Sequence, residues 1–398
     1  MKKVMIIGAS ILQLPAILKA KELGCRVGVV DYNPEAVGIP YADEYFNVST
    51  VDVEGIIKTA EEFRPNGIMT LATDMPMRAV AAACEALGLP GISRDTALKA
   101  TDKGEMIKAF EEYGVEHPWY YIASNREGFH EIADRIVFPC IMKPTDNSGS
   151  RGVVLCHDGA ELEREYAYSL RESRGGAIII EEYLQGPEFS VEVMVINGEP
   201  HVLQITDKLT TGAPHFVEMG HSQPTEQPGE FRERIRDLAC RAVKAVGIQI
   251  GPAHVEMILT KDGPKMVELG ARMGGDCITT HLVPLSTGID MVGCAIRLAC
   301  GERIDVSPKF SKGSAIRYFK TGTGILKRID GVPEAKRIDG VREISFVTGI
   351  GERVGSIGSS ADRIGFVIAQ AETAREAVGV CEKAMEVVHI DIEDGEAP

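Results

Sequence analysis

The sequence predicts a parallel α/β region over residues 1–98 and an α+β region built on antiparallel hairpins beyond it. Three observations carry this reading. Residues 1–98 alternate short apolar runs with helical patterns, as a βαβαβα unit does. Two long hairpins follow, turning at Asn197-Gly198 and Asp262-Gly263, dipeptides that favour tight turns. Residues 306–398 return to short strands and finish with one helix and a polar tail.

The elements follow in order. VMIIGA is a strand, Leu12–Leu23 a helix closed by Gly24, and RVGVVD the next strand. Val53–Phe63 is a helix, GIMTLAT the third strand, and Met77–Leu87 a helix ended by Gly88. Residues 99–116 read as one helix, and Ala160–Ser173 as a helix among short strands between 117 and 186. Residues 189–209 and 254–272 are the hairpins, with an amphipathic helix over 230–246 between them. Pro284–Cys300 and Ala371–Val387 complete the helices. The expected units are 1–98, 99–305 with a smaller subdomain at about 117–186, and a C-terminal segment 306–398 packed on the second unit.

Bulk properties exclude several classes. With 398 residues, 44% of them hydrophobic and 25% charged, the chain has ample core for two or three domains. A net charge of −15 and a pI near 5.2 argue against nucleic acid as a partner. No apolar run approaches the roughly 20 residues of a membrane helix. The nine cysteines are scattered, without CxxC or metal-type spacing. A cytoplasmic protein is expected.

Residues 137–153, VFPCIMKPTDNSGSRGV, carry the strongest chemical signal. A strand ends in Lys143-Pro144, and a turn follows with Ser148, Gly149 and Gly152. Glycine there can aim backbone N–H groups at an anion. The segment is not GxxxxGK[ST] and no helix follows, so phosphate would bind on a hairpin. The N-terminal unit lacks a dinucleotide fingerprint, because GASILQLP places Leu12 and Pro15 where glycines are needed. Asp74 sits after the third strand, where ligands of parallel sheets bind. Glu256 and Glu268 lie on opposite arms of one hairpin, each in an apolar frame, and alternation puts them on one face. Two adjacent carboxylates need a cation between them, and hard oxygen ligands suit Mg2+. Arg272 and Gly274-Gly275 follow directly, able to grip a phosphoryl group and stabilise an oxyanion.

In this order the pieces resemble the ATP-grasp superfamily of carboxylate–amine ligases, over most of the chain. The resemblance implies a pre-ATP-grasp domain at 1–98 and an ATP-grasp core at 99–305 whose lid is the 117–186 subdomain. It implies ATP as the nucleotide and Mg2+, with Mn2+ able to substitute, on Glu256 and Glu268. Lys103 and Lys143 resemble the two nucleotide lysines, with Ser148 and Gly149 in the phosphate lid. Glu181 and Leu184 resemble the adenine hinge, and Glu188, seven residues after Glu181, the ribose ligand. Arg272 resembles the phosphoryl-contacting arginine. Many members carry Asn two residues after the second metal glutamate. Here that position is Gly270, so a second metal would need bidentate Glu268 or more water.

Within the superfamily, FVEMGHSQPT resembles the bacterial L-amino-acid ligases, the dipeptide-forming branch. That likeness implies Glu218 and His221 at the amino-acid site, Gly275 by the transferred phosphoryl group, and Asp276 shaping the acid pocket or pairing with a cationic substrate group. The implied partners are a small carboxylate and an amine, in a homodimer. Two other readings stand beside this one. A carboxylase-type member would use bicarbonate as the acid, although no AMKM-type biotin site is present. A catalytically silent nucleotide-binding protein would not need both lysines, both acids and Arg272.

Overall fold

The computed structural model describes residues 1–147, 149, 151–213 and 215–393. Strands β1 (Lys3–Ile7), β2 (Arg26–Val30), β3 (Glu44–Phe46) and β4 (Gly67–Met69) form a parallel sheet in the order β3-β2-β1-β4. β3 is too short to show a period and was not expected. The strands are almost wholly apolar because both faces are covered. Val4 and Ile6 pack with Ala16, Ile17 and Ala20 of helix α1 (Leu14–Glu22). Met5 and Ile7 pack with Ile56 and Phe63 of α2 (Val53–Phe63) and Val80 of α3 (Met77–Leu87).

The single helix expected at 99–116 is two, α4 (Arg94–Lys99) and α5 (Lys103–Glu112). The break comes from Asp102. Its carboxylate accepts the backbone N–H groups of Gly104 and Glu105 and the Thr145 hydroxyl. An aspartate caps a new helix better than it continues an old one, so Lys103 begins α5. A small antiparallel sheet follows, ordered β5-β8-β6-β7 from β5 (Tyr120–Ala123), β6 (Cys140–Pro144), β7 (Val154–Cys156) and β8 (Ile178–Glu182). Helices α6 (Arg126–Ala133) and α7 (Gly159–Glu172) bury Phe129, Leu162 and Tyr166 against Met142 and Ile180.

The largest sheet has eight strands, ordered β13-β12-β9-β10-β11-β14-β18-β16. Its first members are β9 (Glu188–Ile196), β10 (Glu199–Thr210), β11 (Glu218–Gln223), β12 (Gly251–Thr260), β13 (Gly263–Gly270) and β14 (Gly313–Tyr318). Both hairpins form, the first turning at Asn197-Gly198 as expected and the second at Lys261-Asp262, one residue before the expected dipeptide, because Thr260 pairs with Gly263. Phe189, Val191, Val193, Val255 and Met257 point to one face, against Ile235, Leu238 and Val243 of α8 (Gly229–Val246). Their alternates, Glu188, Ser190, Glu192, His254 and Glu256, point to the other. The helix expected over Pro284–Cys300 is also divided, into α9 (Val283–Thr287) and α10 (Met291–Ala299). Gly288 adopts φ +76° and ends the first, and Asp290 caps the second through the Gly293 N–H.

The C-terminal residues form β15 (Gly324–Asp330), α11 (Val332–Ala335), β16 (Val341–Phe346), β17 (Arg353–Val354), β18 (Gly365–Ala371), α12 (Ala374–Val387) and β19 (His389–Glu393). β14, β18 and β16 continue the large sheet, and β17-β15-β19 make a separate small one. All nine cysteines are free thiols. Among the described residues no single helix is long and apolar enough to cross a membrane.

Replacing Asp102 with alanine removes the α5 cap and should lower unfolding free energy by about 1 kcal/mol. Urea denaturation followed by circular dichroism measures this, and a loss near zero would show that the break has another cause.

Candidate functional site

Two cavities meet at the polar face of the large sheet. The larger, about 650 Å³, lies between that face and the small antiparallel sheet. Lys103, Lys143, Gly149, Glu181, Leu184 and Glu188 line it, as do Lys208, Glu218, Glu256 and Glu268. The smaller, about 370 Å³, opens beside the N-terminal sheet and is lined by Asp74, Arg78, Arg174 and Arg272. Lys103, Asn147, Glu256 and Glu268 line both cavities and so divide them. Ser148 lies outside the described residues.

The geometry starts from strand register. Glu256 of β12 stands directly opposite Glu268 of β13. Cross-strand partners leave the same face a few ångströms apart, so two carboxylates share one patch. Protein cations hold them there. Lys103 Nζ is 2.9 Å from Glu268 Oε2 and also donates to the Asn147 carbonyl. Lys208 Nζ is 3.4 Å from Glu256 Oε2, and His254 Nε2 is 3.0 Å from Glu256 Oε1. Burial raises the carboxyl pKa of Glu268, but Lys103 outweighs it and the net shift is downward. Glu256 is likewise held well below the usual carboxylate range, where Lys208, His254 and Arg272 outweigh burial. Both acids stay ionised.

Two facing carboxylates with cavity on both sides fit Mg2+ shared with phosphate oxygens, which needs few protein ligands. Among the described residues no cluster of three or more His, Cys, Asp or Glu forms a closed metal cage.

Lys143 ends β6 and pairs at 2.6 Å with Glu181 on the neighbouring β8, both side chains 7% exposed. Leu184 and Glu188 follow along the same cavity wall. Glu188 is bound by Lys208 Nζ at 2.5 Å.

Lys208 was not expected. Its side chain is 2% exposed, and Glu188, Glu256 and Glu218, at 3.6 Å, surround it. Burial lowers its pKa, but the three carboxylates raise it well above the ordinary lysine value. Glu192 and His254 were missed as well. His254 Nδ1 lies 2.6 Å from Glu192 Oε1, and the pair is cross-strand in register. Gly274 covers them: a Cβ there would stand 2.5 Å from His254 Nδ1. The signal was present in sequence for two of them, since Glu192 and His254 stand between apolar neighbours as Glu256 does, whereas Lys208 follows Asp207.

Glu218 opens onto the larger cavity, and its Oε2 accepts the Ser360 hydroxyl. His221, Gly275 and Asp276 line neither cavity. His221 stands opposite Lys208 across the strands, so it leaves the same face, yet its side chain is 1% exposed. Asp276 covers it, with Oδ2 at 3.1 Å from His221 Nε2. In this arrangement Glu218 lines the larger cavity and His221 lies behind Asp276. Asp276, expected to shape the acid pocket or meet a cationic substrate group, is paired here with a cation of the chain itself. Arg363 takes both its oxygens at 2.7 Å, and the guanidinium stacks 3.9 Å from the centre of the Tyr318 ring. Burial opposes ionisation of Asp276, but Arg363 and His221 hold its pKa far below normal.

Arg272 follows β13 and points toward the N-terminal unit. Its Nε and Nη2 donate to Asp74 Oδ1 and Oδ2 at 2.9 and 2.8 Å.

Residues 136–280 match the ATP-grasp domain family, and residues 317–393 match the L-amino acid ligase C-terminal domain 2 family. Alanine–anticapsin ligase of Bacillus subtilis is 30% identical over 271 residues, covering 62% of this chain and 57% of that protein. The chain thus spans little more than half of that relative. The crystal structure of L-amino acid ligase from Bacillus licheniformis superposes with a TM-score of 0.85 at 24% identity, covering 99% of each chain. The biotin carboxylase domain of the Hydrogenobacter thermophilus 2-oxoglutarate carboxylase, in complex with MgADP and bicarbonate, superposes at 0.78 with 22% identity over 98% of this chain and 91% of that one. These structural likenesses establish the fold.

The His254 pKa is pushed up to about 9, because Glu192 and Glu256 outweigh burial. The folded value exceeds the unfolded one, near 6.5. Its stabilisation is therefore complete below about pH 6.5 and lost as pH rises through about 9. Without divalent metal, wild-type stability should fall by on the order of 3 kcal/mol across that window. Guanidinium titrations of wild type and His254→Gln should show a flatter pH slope in the variant, and parallel slopes would refute the linkage.

Proposed function

The chain belongs to the ATP-grasp superfamily, and on that premise we propose that it activates a small carboxylate with ATP and joins it to an amine. The substrates are amino-acid-like, and ADP and phosphate are released. One observation carries this reading: Lys103, Glu256 and Glu268 form the common wall of two cavities. A nucleotide on one side and an acid on the other would meet at that wall.

Each residue has a role that its position supports. Leu184 offers backbone groups to adenine and Glu188 a carboxylate to ribose hydroxyls. Lys103 and Lys143 now neutralise Glu268 and Glu181, and phosphate oxygens would share them. Mg2+ on Glu256 and Glu268 would spread the charge of the β- and γ-phosphates. The substrate carboxylate attacks the γ-phosphorus, ADP leaves, and an acyl phosphate remains. Arg272, which lines the smaller cavity, would face the charge that develops on this group. A neutral amine then displaces phosphate and loses one proton. Glu218 accepts it, a cavity-lining acid that this scheme leaves free of the metal and the nucleotide. The lid residues around Gly149 keep water from the acyl phosphate.

Bicarbonate is the rival acid, because the biotin carboxylase domain shares the fold. The match of residues 317–393 to the L-amino acid ligase C-terminal domain 2 favours the amide-forming reading.

ADP release should be measured against single amino acids, amino-acid pairs and bicarbonate. Release that needs both an acid and an amine supports the proposal, and release with bicarbonate alone would replace it. Glu268→Gln should reduce turnover by at least about 100-fold while thermal unfolding stays cooperative, as expected when transition-state charge loses its metal. Undiminished turnover in that variant would sink the metal assignment.

A further inference from the structure

Gly270 and Asp74 explain each other. Gly270 stands two residues after Glu268, where many superfamily members carry an asparagine. A Cβ built there would lie 2.6 Å from Asp74 Oδ1 and 3.0 Å from Arg272 Nε. A Cβ essentially never stands 2.6 Å from another atom, so a side chain at 270 would require the Asp74 carboxylate to shift away from its place on Arg272. Asp74 comes from the N-terminal unit, 198 residues away in sequence. Its loop is held in a costly shape: Ala72 adopts φ +59°, a left-handed conformation that non-glycine residues rarely take. Such a conformation persists only where its surroundings enforce it.

The geometry of the pair is directional. A guanidinium presents two bidentate edges, one through Nε and Nη2 and one end-on through Nη1 and Nη2. Asp74 occupies the first edge. Arg272 Nη1 has a longer contact, 3.3 Å, to the Met273 carbonyl. Each terminal nitrogen carries two N–H groups, so the end-on edge keeps one donor on each. Arg272 lines the smaller cavity, on the side of the wall formed by Glu256 and Glu268.

We propose that Asp74 is an interdomain positioning residue that clamps Arg272 side-on and aims its end-on edge at the transferred phosphoryl group, and that glycine at 270 is what admits this clamp. The role at the phosphoryl group rests on the ligase reading above. The clamp itself does not. Asp74 touches no substrate in this account. It replaces the asparagine's local contribution with a contact that reports whether the N-terminal unit is correctly docked. Losing it frees a long side chain in a charged cavity, and a misplacement of about 1 Å can cost about 100-fold in rate.

Asp74→Ala, Gly270→Asn and the double variant test this. Asp74→Ala should lower kcat by about 10- to 100-fold with KM for ATP unchanged within about 2-fold. Gly270→Asn should do the same by displacing Asp74. The double variant should be no worse than either single one, because both remove one contact. Multiplicative losses, or a fall in melting temperature with kcat intact, would overturn the proposal. A second readout needs no turnover. Phenylglyoxal modification of Arg272, followed by mass spectrometry, should be slow in wild type and at least about 10-fold faster in both single variants, since a paired guanidinium resists the reagent. Equal rates would exclude the clamp. Faster modification without ADP release from any acid–amine pair would keep the clamp and remove the ligase reading.

Discussion

The site depends on keeping two facing carboxylates ionised in a buried sheet face. Glu256 and Glu268 are fixed opposite each other by a hairpin register that the Lys261-Asp262 turn sets. Neither can move away without slipping the strand and turning Val255 and Leu269 out of the core. Their repulsion and desolvation must be met in place. Lys103, Lys208 and His254 meet them, and each comes from a different element. The cap that starts α5, the second long hairpin and the central strand therefore converge on one electrostatic requirement. The same cations make the site receptive to phosphate, because they are already held where negative charge collects.

Much of this was legible in the sequence, and the pattern of what was not is instructive. Glu256 and Glu268 could be paired because a short turn leaves little freedom of register. Lys143 and Glu181 were identified singly, and the sheet then joined them as neighbours. The helix breaks at 100–102 and at Gly288 were written in the residues, as an aspartate cap and a glycine stop. Helical periodicity continued across both and outweighed the local signals. Glu192 and His254 carried the alternation that revealed Glu256, and Lys208, beside Asp207, did not, but a polar residue in a strand has two readings, solvated edge or buried network. Only the neighbouring strands decide between them. Asp74–Arg272 and Asp276–Arg363 were beyond reach, since no local pattern ties residues so far apart.

Arg363 shows how the C-terminal segment enters the site. It neutralises Asp276, stacks on Tyr318 and donates to the Glu218 carbonyl. The cavity face thus receives Asp74 from one end of the chain and Arg363 from the other, while the central strands carry the acids. The polar sheet face and its surroundings are assembled from three parts of the sequence, and each arginine is locked by an aspartate on a different part.

The continuity of the large sheet through β11, β14 and β18 bears on where the chain can be cut. β14 pairs with β11 in register from Gly220↔Arg317 to Gln223↔Ser314. A fragment ending near residue 305 would strip that partner away and leave β11 as a raw edge. Unpaired N–H and C=O groups on such an edge invite pairing with other chains. Glu218 and His221 sit on that strand. The last quarter of the molecule is therefore no detachable accessory. It covers a border of the large sheet that would otherwise be open to pairing with other chains.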